Sequence, residues 1–347
     1  MAVAPSYKDA LAPYTRPHLG RSVTDVLTSV VPYVALSALM YALLDVSYWL
    51  VLLVALPAAG FLLRTYILFH DCTHGSFLPS KRANTWLGRT LGVIVFSPFS
   101  AWKHNHAVHH ATAGDLDRRG VGDVQTLTVA EYRARDWKGR FAYAAFRHPL
   151  VMFGIGPLYA LALYPRFIPK HARRRVRNSV LATNGALAVL IGALCWLIGW
   201  KAYVAVQLPT AWMAATAGVW LFYVQHQFED TYWRDSDEWT YADAALRGSS
   251  YLKLPQPLQF FTGNIGLHHV HHLSARVPNS HLQRAHDSCA LFQDVPVLSL
   301  WDGLRATRLK LWDEESQRLV TWKGARRSGS PDAAGARSAP RPSPVRS

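Results

Sequence analysis

Three short segments of this chain carry histidines at spacings that suit metal ligation. Within the segment 102–112, His106, His109 and His110 stand at positions i, i+3 and i+4, which share one face of a helix. Neutral imidazole binds iron, zinc, copper and nickel, so this face predicts a metal site. We call the three segments histidine boxes and number them along the chain. The third box repeats this spacing with His268, His271 and His272, and the first box has a shorter i, i+4 version with His70 and His74.

The number and direction of the histidines favour two metal ions. Eight box histidines are too many for one tetrahedral zinc but suit two metals with open positions. At about 100° per residue, His104 lies opposite the face of the second box and His269 lies off the face of the third, so both are left out. His226 follows a long apolar run directly and is predicted as a ninth ligand.

Two polar residues near the boxes are candidates for supporting roles. Asp71 follows His70 and is placed to accept an imidazole N–H, which would fix the tautomer of that ring. Asn264 stands four residues before His268 and would share its face, holding a metal-bound water, if the helix extended that far. Gly263 and Gly266 weaken that extension, and helix capping is the alternative for both polar residues.

Long apolar runs predict an all-α integral membrane protein with four transmembrane helices in two hairpins. A cytosolic helical cap is expected to hold the two metals. The spans are expected at about residues 26–44, 46–63, 180–200 and 203–225. The basic segment 170–177 predicts that the N-terminus, the boxes and the C-terminus lie on the cytosolic side, at the cytoplasmic membrane if the source is bacterial.

The segments around the spans divide the chain further. Residues 1–25 are polar and rich in proline and are expected to form a loose cytosolic arm, followed by a membrane domain over 26–323. Residues 324–347 are rich in Ser, Pro, Ala and Arg and predict a disordered basic tail. The apolar run 149–164 is expected to lie in the interface, because a crossing there would put the second and third boxes on opposite sides.

The net charge of +15 limits the classes of partner. Its simplest interpretation is positive-inside topology with affinity for anionic lipid head groups. A basic face would also suit an acidic electron-transfer protein. No nucleic-acid recognition module is visible, so nucleic acid is not expected as a partner.

From about residue 45 to residue 290, the chain resembles the membrane fatty acid desaturases with three histidine boxes. The segments that carry the resemblance are His70-Asp71-Cys72-Thr73-His74, the second box with the following loop 114–123, and Asn264 to Leu273. The pattern is most similar to bacterial acyl-lipid desaturases of the Δ5 and Δ12 (omega-6) type. Double-bond position, chain length, acyl carrier and oligomeric state stay open.

The resemblance implies two iron ions held by the box histidines, with the single extra histidine of the family at His226. Some members carry an asparagine four residues earlier, but Phe222 stands there in this chain. The implied reaction uses O₂ to remove two vicinal hydrogens from a lipid-linked acyl chain, giving a cis double bond and water. The haem-binding HPGG sequence of a fused cytochrome b5 domain is not found, so a ferredoxin or similar donor with its reductase is expected.

Other functions are compatible with parts of this pattern. A fatty acid hydroxylase, or a carotenoid hydroxylase or ketolase, would share the same scaffold and the same histidines. A histidine-rich metal transporter or sensor would need ionisable residues inside its spans, and the four predicted spans contain none. Histidine ligation alone leaves zinc and copper open as the bound metal.

Overall fold

From residue 6 onward, the N-terminal segment is folded rather than loose. The computed structural model describes residues 6–327, and α1 (Tyr7–Leu11) begins almost at once. Leu11 is buried in the same apolar cluster as Val270 of the third box. The prediction of a loose arm over residues 1–25 is therefore wrong for its described part, because its apolar side chains pack against the cap. The first long helix, α2 (Leu19–Leu43), also begins seven residues earlier than expected.

The first hairpin joins α2 to α3 (Tyr48–His74), a single helix of 27 residues. Its last turn carries the first histidine box, as predicted, and it ends where Gly75 adopts a left-handed conformation with φ +73°. Both helices are longer than the predicted spans, so they include Asp25 and Arg64. These two charges are buried and form an ion pair of 2.8 Å between the helices.

The second box lies on its own helix, as its spacing predicts. After α4 (Lys81–Ile94), the chain turns and α5 (Phe99–Thr112) begins directly behind Pro98, whose extended backbone cannot continue a helix. Gly88 lets α4 and α5 approach closely, because a Cβ there would lie 2.3 Å from the ring of Phe99. This packing holds the second box beside the end of α3.

The apolar run 149–164 forms irregular helix. It follows β1 (Leu127–Thr128), α6 (Val129–Ala134) and α7 (Trp137–Phe146), and consists of π-helical stretches at Val151–Ile155 and Leu158–Leu163 and a 3₁₀ turn at Tyr164–Arg166. The axis bends by 52° between α7 and Val151–Arg166. Leu150 and Ile155 are more than 70% exposed, so this segment presents an apolar outer surface. Its position in the membrane interface stays a prediction.

The second hairpin consists of α8 (Arg174–Ile198) and α9 (Trp200–His226), with a turn at Gly199. By length and composition, four helices in the described residues can cross a membrane, namely α2, α3, α8 and α9. A fifth crossing arises if the bent pair of α7 and the following irregular helix counts as one span. The predicted helical membrane fold with two hairpins is confirmed, although each helix extends beyond its expected limits.

The chain after α9 builds most of the cap. Its elements are α10 (Tyr241–Arg247), β2 (Tyr251–Lys253), α11 (Gln256–Phe261), α12 (His268–Leu273), α13 (Leu282–Asp287), β3 (Val297–Ser299), α14 (Leu300–Ala306), β4 (Leu311–Asp313), β5 (Arg318–Val320) and α15 (Trp322–Arg327). Within the described chain, β2 pairs with β3 in parallel, and a second sheet has the order β1-β4-β5. Strands of two or three residues are too short to show a period in sequence, so they were not predicted.

The predicted disordered tail over 324–347 falls mostly outside the described residues. Its first four residues belong to α15, which corrects the prediction at that end. Ala325 is buried beside Leu127 and Leu311, and this packing explains why the helix forms there.

Candidate metal centre

Four helices bring the predicted histidines together. The ends of α3 and α9, one face of α5 and the short helix α12 meet at the cap. All nine predicted histidines fall into two groups, and within each group the potential ligand atoms lie within 4.8 Å of one another. The first group is His70, His74, His106, His110 and His271. The second group is His109, His226, His268 and His272.

The first group directs imidazole nitrogens at one another. Nε2 of His70 lies 3.0 Å from Nε2 of His106, 3.1 Å from that of His271 and 3.3 Å from that of His74. One ring nitrogen carries at most one hydrogen, so these contacts cannot all be hydrogen bonds. Nδ1 of His70 faces a carboxylate oxygen of Asp71 at 3.1 Å, which puts the proton on Nδ1 and a lone pair on Nε2. Converging lone pairs fit a bound cation.

The second group has the same design, with α9 in place of α3 beside α5 and α12. Nε2 of His268 lies 3.0 Å from Nε2 of His226 and 3.1 Å from that of His272. His226 donates its Nδ1 hydrogen to the backbone carbonyl of Gly248 at 3.0 Å. Its Nε2 is therefore a lone pair that faces the other rings, as a metal ligand requires.

Asp123 is a supporting residue that sequence reasoning missed. Its carboxylate accepts a hydrogen bond from Nδ1 of His109, and Nε2 of His109 is buried with no hydrogen-bond partner. A buried ring nitrogen without a partner is costly unless it binds a metal. In the sequence, Asp123 appeared only as part of the loop after the second box. Fourteen residues separate it from His109, so no helical spacing pointed to the contact.

The two predicted supporting residues have different positions. Asp71 contacts the ring of His70, as expected. Asn264 does not lie on the helix of the third box, because α12 begins at His268 and Asn264 has φ +57°. Its side chain donates to the carbonyl of Asn279 at 3.3 Å. The helical extension on which this role depended is not formed, because the backbone turns through Gly263 and Asn264 before the helix starts.

The two histidines left out of the predicted site also lie outside both groups. His104 is exposed on the far side of α5. His269 is buried, and its Nε2 lies 3.0 Å from Nδ1 of His286. The angular argument from the sequence therefore separated the converging rings correctly from their neighbours.

Burial keeps the cap histidines uncharged. It lowers their pKa values well below the ordinary value, and the neighbouring imidazoles, protonated, would lower them further. Neutral imidazole is the form that binds metal. The rings concerned are His106, His110, His268, His271 and His272.

A large apolar cavity reaches the histidines. Its volume is about 770 Å³, and its walls come from α3, α5, α8, α9 and the irregular helix 151–166. His70 and His106 of the first group and His268 of the second group all line it. The cavity thus lies between the spans and the irregular helix that follows α7.

Comparison with known proteins gives a consistent answer. The model of the fatty acid desaturase family matches residues 47–296. A fatty acid desaturase of Bacillus subtilis is 43% identical over 313 residues, which cover 90% of this chain and 89% of that protein. An sn-1 acyl-lipid omega-3 desaturase (ferredoxin) of Synechocystis is 28% identical over 241 residues, 63% of this chain and 62% of the relative.

A third relative extends the comparison to another double-bond position. The sn-1 oleoyl-lipid 12-desaturase of Synechocystis is 24% identical over 237 residues, which cover 64% of this chain and 63% of that protein. These three relatives are desaturases, and nothing among them supports the hydroxylase or ketolase alternative. This chain belongs to the fatty acid desaturase family and is an oxidoreductase that introduces a double bond into a fatty acyl chain.

Proposed function

We propose that this desaturase holds two iron ions, one in each histidine group, and uses O₂ to form a cis double bond in a lipid-linked acyl chain. Five histidines would serve the first ion and four the second. The converging Nε2 lone pairs carry the proposal, since ring nitrogens 3.0 to 3.3 Å apart cannot all hydrogen-bond one another and a shared cation would satisfy them together. Iron is preferred over zinc because zinc has no redox chemistry.

The bound irons would supply the activation of O₂ needed to attack an unactivated methylene group. The chain itself supplies positioning. The apolar cavity would hold the acyl chain and exclude water, and His70, His106 and His268 all line it. Asp71 and Asp123 would fix the tautomers of His70 and His109, so that each ring presents Nε2 to its metal.

The substrate and electron donor follow from the chemistry and from the relatives. The Synechocystis relatives are named as acyl-lipid and oleoyl-lipid desaturases, which supports a membrane lipid as the acyl carrier. One of those names also specifies ferredoxin, which supports a small one-electron carrier with its reductase. The lysines and arginines that precede α8 favour a cytosolic position for the metal site.

The test is a fatty acid profile by gas chromatography–mass spectrometry, combined with iron analysis of the purified protein. A host would express the unmutated chain, His110→Ala, His272→Ala or the control His104→Ala, with a ferredoxin and its reductase. We expect a new unsaturated chain from the unmutated protein and from the His104→Ala variant only. Iron should fall in the two ligand variants. A new product from either ligand variant would contradict the proposed ligands, and a hydroxylated product would contradict the reaction.

A further inference from the structure

We propose that an acidic one-electron carrier protein docks on a basic patch formed by Lys81, Lys103 and Arg175. The inference rests on the proposed function, because it concerns how electrons reach the histidine site. Each double bond consumes one O₂, two electrons and two protons and yields two waters. The electrons must come from outside the chain, so two one-electron carriers must reach this site in every turnover.

The patch combines three helices that pack together. Lys81 is the first residue of α4, Lys103 lies on α5 and Arg175 lies in the first turn of α8. All three side chains belong to exposed residues. Each of the three helices contacts the other two, which brings the three cations to one surface. Partial burial and, after it, the charges of Arg175 and Lys81 lower the pKa of Lys103. Further exposed cations of the same helix ends are Arg82, Arg174 and Arg177.

These charges are not placed for the stability of their own helices. The N-terminal end of a helix carries a partial positive charge, and acidic residues are the favourable ones there. The first turns of α4 and α8 contain no acidic residue and instead carry Lys81 and Arg175. Within residues 6–327, neither they nor Lys103 have a carboxylate within ion-pair distance. The patch therefore keeps a concentrated positive field that an anionic surface would relieve.

The patch lies at the edge of the first histidine group. Lys103 follows Trp102, whose ring centroid is 4.3 Å from that of His106 and 5.5 Å from that of His70. A carrier that docks over Lys103 would thus lie one residue from Trp102, which contacts two histidines of the first group.

A protein fits this surface better than a lipid head group. A positive surface beside the histidine group suits the acidic face of an electron carrier, whereas a lipid head group would supply no electrons. Electrostatic complementarity of this kind raises the rate of encounter and fixes orientation.

The experiment measures binding of an acidic ferredoxin to the desaturase in nanodiscs of zwitterionic lipid. The test variant combines Lys81→Glu, Lys103→Glu and Arg175→Glu. The matched control combines Arg140→Glu, Lys253→Glu and Arg308→Glu, three exposed cations that do not act on Lys103. Direct binding needs no turnover, so this readout is independent of whether the reaction itself is assigned correctly.

We expect the unmutated protein and the control to bind ferredoxin with similar affinity, and the test variant to bind about tenfold or more weakly. Raising the salt from about 20 to about 300 mM should weaken binding of the unmutated protein much more than binding of the test variant. Turnover with a small uncharged reducing mediator should be equal in all three, which shows that the variants are folded. Equal ferredoxin binding by the test and control variants would overturn the proposal. Unchanged ferredoxin binding with lost retention on anionic vesicles would assign the patch to lipid head groups instead and also overturn it.

Failure of the proposed function would look different. In that case the unmutated protein would form no double bond with either ferredoxin or the mediator, whatever the binding results. A rise in the KM for ferredoxin at nearly constant kcat in the test variant, with normal mediator-driven turnover, would support the docking surface and the proposed function together.

Discussion

Asp71 and Asn279 lie 208 residues apart in the chain and are joined by two hydrogen bonds. One carboxylate oxygen of Asp71 accepts from the backbone N–H of Asn279 at 2.7 Å and from its side-chain amide at 2.9 Å. The other oxygen faces Nδ1 of His70 at 3.1 Å. The carboxylate thus ties the end of α3 to the turn after the third box, and it holds His70 in the tautomer that leaves Nε2 free.

We expect Asp71→Asn to reduce metal binding in the first histidine group. An amide keeps one acceptor for His70, but its NH₂ would face two donors of Asn279, so one end of the bridge must open. Loss of such a supporting contact typically costs about 10- to 100-fold in metal affinity or activity. Iron per protein and double-bond formation should both fall, while the exposed control Asp287→Asn should keep both. Full iron content in the Asp71→Asn variant would show that the bridge does not support the metal.

Gly122 positions Asp123, whose contact with His109 supports the second histidine group. Its φ is +75°, and a Cβ would lie 2.9 Å from the carbonyl oxygen of Asn105 and 3.1 Å from Cβ of His109. We expect Gly122→Ala to push the loop away from α5 and to pull Asp123 off His109. Iron content and turnover should therefore decrease.

Gly120→Ala is the matched control for this substitution. Gly120 also has a positive φ, +108°, but a Cβ there would meet nothing within 4 Å. It should lower the unfolding temperature through backbone strain and leave iron content unchanged. Similar iron loss in the Gly120→Ala and Gly122→Ala variants would mean that strain alone, rather than displacement of Asp123, is responsible.

Local periodicity predicted the parts of this site that lie on one helix. The spacing of the second box selected His106, His109 and His110 and rejected His104, because side-chain direction along a helix depends on spacing alone. The end of a long apolar run likewise placed His226 at the last residue of α9. These inferences need no knowledge of the tertiary structure.

The contacts that depend on loops could not be predicted in this way. Asp123 reaches His109 only because the loop turns back at Gly122, where φ is positive. A glycine in the sequence can indicate such a turn, but it does not predict the direction of the chain after it. Asn264 illustrates the converse. Its spacing of four residues from His268 does not put both residues on one helix face, because α12 begins only at His268. Leu11 packs against the cap from a segment whose composition is that of a loop.

Gly218 is a position where the size of one side chain should change substrate selection. It lines the apolar cavity on α9, and a Cβ there would meet only Leu63, at an ordinary contact distance of 3.6 Å. Gly218→Ala should therefore be tolerated, whereas Gly218→Leu would fill part of the cavity. In a host with mixed acyl chains, we expect Gly218→Leu to lower the ratio of long to short unsaturated products. An unchanged ratio with normal total product would show that the acyl chain lies elsewhere.

Lys310 should make the stability of the protein depend on pH. The lysine is buried, and its Nζ donates to the carbonyl oxygens of Arg147 at 2.7 Å and Thr307 at 2.6 Å. Burial, together with the charge of Arg147, lowers the pKa of this ammonium group to about 8. In the unfolded chain the group titrates near its ordinary value of 10.5.

The sign of the effect follows because, as the pH rises, Lys310 loses its proton in the folded protein before it does so in the unfolded chain. Between about pH 8 and 10.5 the unfolded chain binds more protons at Lys310 than the folded protein, so the free energy of unfolding contributed by this group rises with pH. We therefore compare unfolding temperatures in detergent between pH 7.5 and about 10. The unfolding temperature of the unmutated protein should rise relative to that of the Lys310→Met variant as the pH increases. The exposed control Lys253→Met should run parallel to the unmutated protein over the same range. A constant difference between the unmutated protein and Lys310→Met would mean that the lysine keeps its ordinary pKa in the fold.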